Sequence, residues 1–178
     1  LEAVYILMSQ FGLRVQCNFC GSFATNPPDD VRVKSIEHGR RFFENHVRER
    51  DLQEYVEYQG PVSGSAKIDE LRQAHFFILP TNYNNEGQPV SIIEAMACGN
   101  VVISTDYRAI PDLVVDRVTG RLVPYGQPAA IAQAIADLVA HPQSYRDMSR
   151  AAIERYRQRF TREAYLARIM PLLQASDA

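Results

Sequence analysis

The sequence predicts an α/β domain in which a parallel sheet is covered by helices on both faces. Three observations carry that expectation. Short apolar runs alternate with helix-period stretches at the spacing of βαβ units. The runs at 76–79 and 101–104 are apolar at successive positions, so both faces of each strand need cover, as in parallel sheets. The chain has 178 residues, 46% hydrophobic and 22% charged, which matches one domain and leaves little room for two.

Composition narrows the function classes. With 19 basic and 21 acidic residues the net charge is -2, which argues against an electrostatic nucleic-acid binder. No apolar run approaches the roughly 20 residues of a membrane span. The chain does not begin with Met, and its first residues lack the basic flank of a signal peptide. The expectation is either that something was removed or that this is a piece of a longer protein. Three cysteines do not make a disulfide framework, so a reducing compartment is expected. Cys17 and Cys20 spell a CxxC on a strand, where a spacing of three puts the sulfurs on opposite faces. A second ligand pair for zinc is lacking, and buried structural cysteines are expected.

Each element follows from its local signals. Residues 1–11 read as a helix with apolar residues on more than one face. Residues 13–19 read as a strand ending at Gly21, and 25–30 as a loop. Asp30 is placed as the cap of a polar helix running to about Asp51, with Ile36, Phe42, Phe43 and Val47 on its buried stripe. Residues 56–58 form a short strand closed by Gly60-Pro61. A helix over 65–74 leads into an apolar strand over 75–79, where His75 is expected to be satisfied in the core. A polar loop over 81–88 precedes Pro89, which suits the first turn of a helix. That helix runs Val90–Cys98 and stops at Gly99. Val101–Thr105 is a β-branched strand, 116–120 a turn, and 121–123 a short strand. The remainder is helical over Pro128–Ala140, 144–159 and 161–173, with Thr161 as cap of the last.

In an open α/β sheet, ligands bind at the carboxyl ends of the strands. The loop after 75–79 is such a place, and it is crowded with hydrogen-bonding side chains: Thr81, Tyr83, Glu86, Gln88 and the Asn residues between them. The helix that follows offers first-turn amides near Val90 to Ile92 and the positive end of its dipole, a ready site for phosphate. Gly87 lets a ligand approach the backbone closely. Glu86 on the loop and Glu94 one turn into the helix bracket these amides. Carboxylates repel phosphate but accept hydrogen bonds from sugar hydroxyls. The pattern suits a ligand with phosphate in the middle and hydroxylated rings at both ends, as in a nucleotide sugar. An ordinary loop Glu and an ordinary surface-helix Glu fit the same spacing. Neither GxGxxG nor a P-loop Lys is present, against dinucleotide and NTPase readings. Arg108, near the strand ends, is a candidate for phosphate or acceptor contact, and more often such an Arg is simply solvated.

The stretch 79–106, with Glu86, Glu94 and Ala95-Met-Ala-Cys-Gly99, resembles the nucleotide-sugar-binding core of retaining glycosyltransferases of family 4, the glycosyl transferases group 1, which have the GT-B fold. The likeness continues through Ala109-Ile-Pro-Asp112, 119–123, the helix over 130–139 and Arg159-Phe-Thr161, and upstream through the strands near Val15 and Val56. It implies a Rossmann-like parallel sheet sandwiched by helices, the C-terminal half of a GT-B fold with its first strand missing. Residues 1–178 would be a single donor-binding domain, a fragment of a larger two-domain enzyme, ending in a helix over 161–173.

The resemblance implies roles as well. Glu86 would hydrogen-bond the donor sugar, and the segment Gly87, Gln88, Pro89, Val90 and Ser91 would hold sugar and diphosphate. Glu94 would bind the ribose hydroxyls, and Gly60, Pro61 and Val62 would lie near the base. The reaction implied is transfer of a hexose from a nucleotide-diphosphate sugar, with retention, to a glycan or lipid-linked acceptor, without cofactor or metal. The partners implied are the nucleotide sugar and a missing N-terminal acceptor-binding domain, with no nucleic acid. Membrane contact would come only through the missing part, in a cytoplasmic enzyme or one peripheral at the inner face. No catalytic residue is assigned within the chain, and the fragment alone is expected to be inactive. The alternatives are a non-catalytic nucleotide-sugar binding module and a GT-B sugar epimerase.

The departures from the family pattern are specific. Glu86-Gly-Gln-Pro89 stands where the family often has Glu-Gly-Phe-Gly, and Pro89 removes one backbone donor. Arg108-Ala109 replaces a Gly-Gly pair, and Asp112 replaces a Glu. The resemblance implies that the family's phosphate-clamping Arg and Lys belong to a segment ahead of Leu1.

Overall fold

The computed structural model describes residues 1–23 and 33–174. Its elements run α1 (Glu2–Phe11), β1 (Cys17–Cys20), α2 (Ile36–Glu49), β2 (Val56–Gly60), α3 (Gly64–Gln73) and β3 (Phe76–Leu79). They continue with α4 (Val90–Cys98), β4 (Val101–Thr105), α5 (Ile110–Leu113), β5 (Gly120–Val123), α6 (Pro128–Ala140), α7 (Pro142–Arg159) and α8 (Arg162–Gln174). Every strand pairing is parallel, as expected, and the strands form two ladders: β1-β2 and β3-β4-β5.

β4 shows why a continuous apolar run means a covered sheet. All five of its residues are buried. Ile103 packs with Ile6 and Leu7 of α1 and Ile131 and Ile135 of α6. Val102, pointing the other way, packs with Ile92 and Met96 of α4 and Ile110 and Leu113 of α5. Each such side chain contributes about 1.5–3 kcal/mol of burial. β3 is only half-buried along its length: among the described residues it has a strand partner on one side, whereas β4 lies between two.

α1 ties the ladders together. Ile6 and Leu7 join the core around β4, while Val4 packs with Val47, Leu52 and Val56 beside β2. That is the multi-faced burial expected of this helix. Gly12, left-handed at φ 64, ends it.

Several expectations are corrected. The strand expected over 13–19 pairs only from Cys17 to Cys20, although Leu13 and Val15 still pack into the core. The loop 25–30 and Asp30 lie outside the described residues. The helix expected from Asp30 starts at Ile36, because Ser35 caps it: the hydroxyl accepts from His38 N–H at 3.0 Å, and Lys34 N–H donates to His38 Nδ1 at 3.2 Å. Its buried stripe is Gly39, Phe43 and Val47, spaced by four, while Ile36 and Phe42 are 59% and 45% exposed. His75 lies just before β3 and is exposed. Cys17 and Cys98 are half-buried and Cys20 is exposed, so the cysteines are not a buried set. The Cys17–Cys20 burial alternates along β1, as opposite faces require. Burial pushes the Cys17 thiol up.

The helix boundaries downstream hold closely. Gly99, at φ 84, stops α4. α7 begins at Pro142, whose ring suits a first turn, and Thr161 caps α8 by accepting from Ala164 N–H at 3.2 Å. The turn of helix α5 was not foreseen, and β5 begins one residue early, at Gly120.

Candidate functional site

The polar loop leaves the carboxyl end of β3, and the end of β4 holds its start. Ser104 Oγ donates to the Leu79 carbonyl at 2.6 Å, and Thr105 Oγ1 donates to the Thr81 carbonyl at 2.5 Å. Within the loop, Tyr83 N–H donates to Thr81 Oγ1 at 3.0 Å and Glu86 N–H to the Tyr83 carbonyl at 2.8 Å. Tyr107 Oη donates to Asn84 Oδ1 at 3.1 Å, and the Arg108 guanidinium lies 5.5 Å from the Tyr107 ring centre. The loop is thus tied to the segment after β4 at several points. Ser104, Thr105 and Tyr107 were not singled out from the sequence, where they read only as strand end and connector.

Arg108 has φ 48, in the left-handed region. That is a conformation a glycine adopts without strain, so the replacement of a Gly-Gly pair by Arg108-Ala109 falls where glycine is physically apt.

The residues expected to hold sugar and diphosphate are brought together along 86–91. Glu86 and Ser91 are half-buried, and Gly87, Gln88 and Val90 are exposed. Pro89 is buried and stands one residue outside α4, as its N-cap, not in its first turn. The Ile92 N–H donates to the Pro89 carbonyl at 3.1 Å, so Ile92 leaves the expected set of amides. Val90 and Ser91 are the first-turn amides that helix geometry leaves without an intrahelical acceptor. A Cβ at Gly87 would meet nothing within 4 Å, so the fold itself does not demand glycine there.

Glu94 sits one turn into α4 and is paired. Lys67 Nζ donates to its Oε1 at 2.6 Å. Lys67 belongs to α3, the helix that follows Gly60, Pro61 and Val62. Those residues form the corner after β2, where Gly60 is buried with φ 69 and its carbonyl accepts from Gly21 N–H at 2.8 Å. The structure therefore brings the corner's helix against Glu94. Lys67 was missed, since its sole signal is standing four residues before Leu71, on the same face of α3.

Gln88 also lines a cavity of about 530 Å³ with Arg159, Arg162 and Arg168 at the α7–α8 junction. Arg168 is spent on the carbonyls of Ala164 and Arg159. Arg155 donates to the carbonyls of Asp112 and Leu113, and its guanidinium is pulled down by burial. A second cavity, about 470 Å³, opens at the ends of β4 and β5 beside Thr105, Tyr107 and Tyr125. Among the described residues, no group of three or more His, Cys, Asp or Glu is placed to hold a metal ion, and no helix is long and apolar enough to cross a membrane.

The chain is similar to known proteins. The family model for glycosyl transferases group 1 matches residues 1–155. The alpha-maltose-1-phosphate synthase of Mycobacterium tuberculosis is 36% identical over 168 residues, covering 89% of this chain and 40% of the synthase. The solved sucrose-phosphate synthase of Thermosynechococcus elongatus superposes with a TM-score of 0.75 at 27% identity, covering 98% of this chain and 41% of that one. HepE of Anabaena, solved with UDP and glucose, has a TM-score of 0.72 at 16% identity, covering 98% of this chain and 52% of that one. The chain thus spans about two fifths to one half of the length of these proteins.

Proposed function

The chain belongs to the glycosyl transferases group 1 family and has the Rossmann-like form of the C-terminal half of GT-B enzymes, and on that premise we propose that it is the donor-binding part of a hexosyltransferase. The single observation that carries the proposal is the placement of Glu86 and Glu94 on either side of the first turn of α4, at the carboxyl end of β3. The Val90 and Ser91 amides and the helix dipole suit a diphosphate, and Gly87 leaves the backbone open to it. Glu86 suits the hydroxyls of the donor sugar, and Glu94 those of the ribose. The corner at Gly60, Pro61 and Val62 lies beside the base. HepE, solved with UDP and glucose, supports a nucleotide-diphosphate hexose as donor.

In the reaction, the bond from the sugar's anomeric carbon to the diphosphate oxygen breaks and the nucleoside diphosphate leaves, while the acceptor hydroxyl oxygen bonds to that carbon with retention of configuration and its proton leaves with the diphosphate. Charge builds on the leaving diphosphate, and the start of α4 meets it with fixed dipoles. The chemistry as read needs no metal. The acceptor, a glycan or a lipid-linked sugar, and any catalytic group would be held by a further domain of the same protein.

Titration calorimetry with UDP, GDP and their hexose conjugates tests the reading. Glu94→Ala is expected to weaken binding of the preferred nucleotide about tenfold or more, the loss of a charge-assisted hydrogen bond to a hydroxyl. Unchanged affinity in that variant would remove the ribose assignment.

A further inference from the structure

We infer that Lys67 is a positioning residue for nucleoside recognition: it fixes the Glu94 carboxylate for the ribose and joins it mechanically to the corner at Gly60, Pro61 and Val62. The inference rests on the reading of Glu94 as the ribose ligand.

The geometry is that of two helices holding one carboxylate. Lys67 Nζ stands 2.6 Å from Glu94 Oε1, across the packed faces of α3 and α4. The backbones on both sides are anchored by apolar contacts. Leu71, one turn after Lys67, packs in the same core as Ile92, Ala95 and Met96, the neighbours of Glu94. Both partners keep about a third of their side-chain surface open, 37% for Lys67 and 34% for Glu94. An ion pair so exposed contributes little to stability, so the fold gains little from it.

A ligand gains more. A glutamate on a helix surface samples many rotamers, and a hydroxyl that binds it must order it first. Lys67 has already ordered it. The ammonium occupies one oxygen, and a carboxylate offers about four lone-pair sites, so acceptor capacity remains for two neighbouring hydroxyls. Lys67 stands three residues after Gly64, the first residue of α3, so any shift of the corner at 60–62 is carried by α3 to the carboxylate. Recognition of base and ribose would then be coupled through one side chain.

The test uses the full-length gene product and calorimetry with UDP and 2′-deoxy-UDP, or with GDP and 2′-deoxy-GDP when GDP is the tighter. Lys67→Met is expected to weaken the ribonucleotide about tenfold and to leave the deoxynucleotide nearly unchanged, so that their ratio collapses. Lys67→Arg should retain part of the ratio. Combined with Glu94→Gln, Lys67→Met should add no further loss. Lys67→Gln serves as a second neutral variant should the Met variant unfold. A ratio that survives Lys67→Met and Lys67→Gln but is lost in Glu94→Gln overturns the inference and leaves the ribose reading standing. A ratio that survives Glu94→Gln removes the ribose reading, and the inference with it.

Discussion

Gly120 is where packing leaves no room for a side chain. A Cβ there would lie 2.5 Å from the Val102 carbonyl oxygen and 2.7 Å from Val114 Cγ1, and the first of these is backbone that cannot swing aside. Gly120→Ala is expected to cost about 1–3 kcal/mol, read as a lower urea midpoint at unchanged slope. Gly87 is the contrast: space is open around it, so Gly87→Ala should stay within about 0.5 kcal/mol of the parent. A glycine the fold does not need, beside Glu86 and the start of α4, is consistent with a ligand approaching the backbone. At this scale the positions of Glu86 and Glu94 around a helix start were legible in the sequence as a local pattern, one that ordinary surface glutamates also fit. Lys67 was not legible, because its importance depends on a carboxylate 27 residues away reached across two helices.

At the scale of elements, one side chain closes the seam between α3 and β4. Asn100, 1% exposed, donates through Nδ2 to the carbonyls of Leu71 and Ala74, at 2.9 and 2.6 Å, satisfying the end of α3. Asn100→Ala leaves these buried acceptors unpaired and is expected to cost about 1–3 kcal/mol in chemical denaturation. Because α3 carries Lys67, the same variant should also loosen nucleotide binding. Elements were legible where their signal was self-contained: the β-branched run of β4, the glycine stop of α4, the Thr161 cap of α8. α2 differs from the expectation at two residues: Ile36 shares the face of Phe43 and Val47 but is the first residue of the helix and stays exposed, and Phe42 points off that face. Only its neighbours decide that Phe43 and Val47 go inside and Phe42 stays out.

For the molecule as a whole, the two parallel ladders are held together by α1 and the cores on either side of it. Among the described residues, β1 pairs with β2 alone and β3 with β4 alone. Unpaired strand edges are a liability that a sheet must cover or pair. The proposed donor site is open at the loop 81–88, and the acceptor is proposed to be held by a further domain. The 178-residue chain is therefore expected to bind nucleotide without transferring sugar, since near-attack geometry needs both substrates held. Detection of glycosidic product from the purified chain and a donor would overturn this.

The sequence by itself determined the parallel α/β class, the central buried strand and the candidate loop with its two glutamates. Those properties are local: they follow from apolar runs, glycine stops and spacings read within about 30 residues. The tertiary structure alone decided the division into two ladders, the face α2 buries, the exclusion of a side chain at Gly120 and the Lys67–Glu94 pair. Each of these depends on which surfaces meet, and residues distant in the chain acquire their roles only when packing sets them against one another.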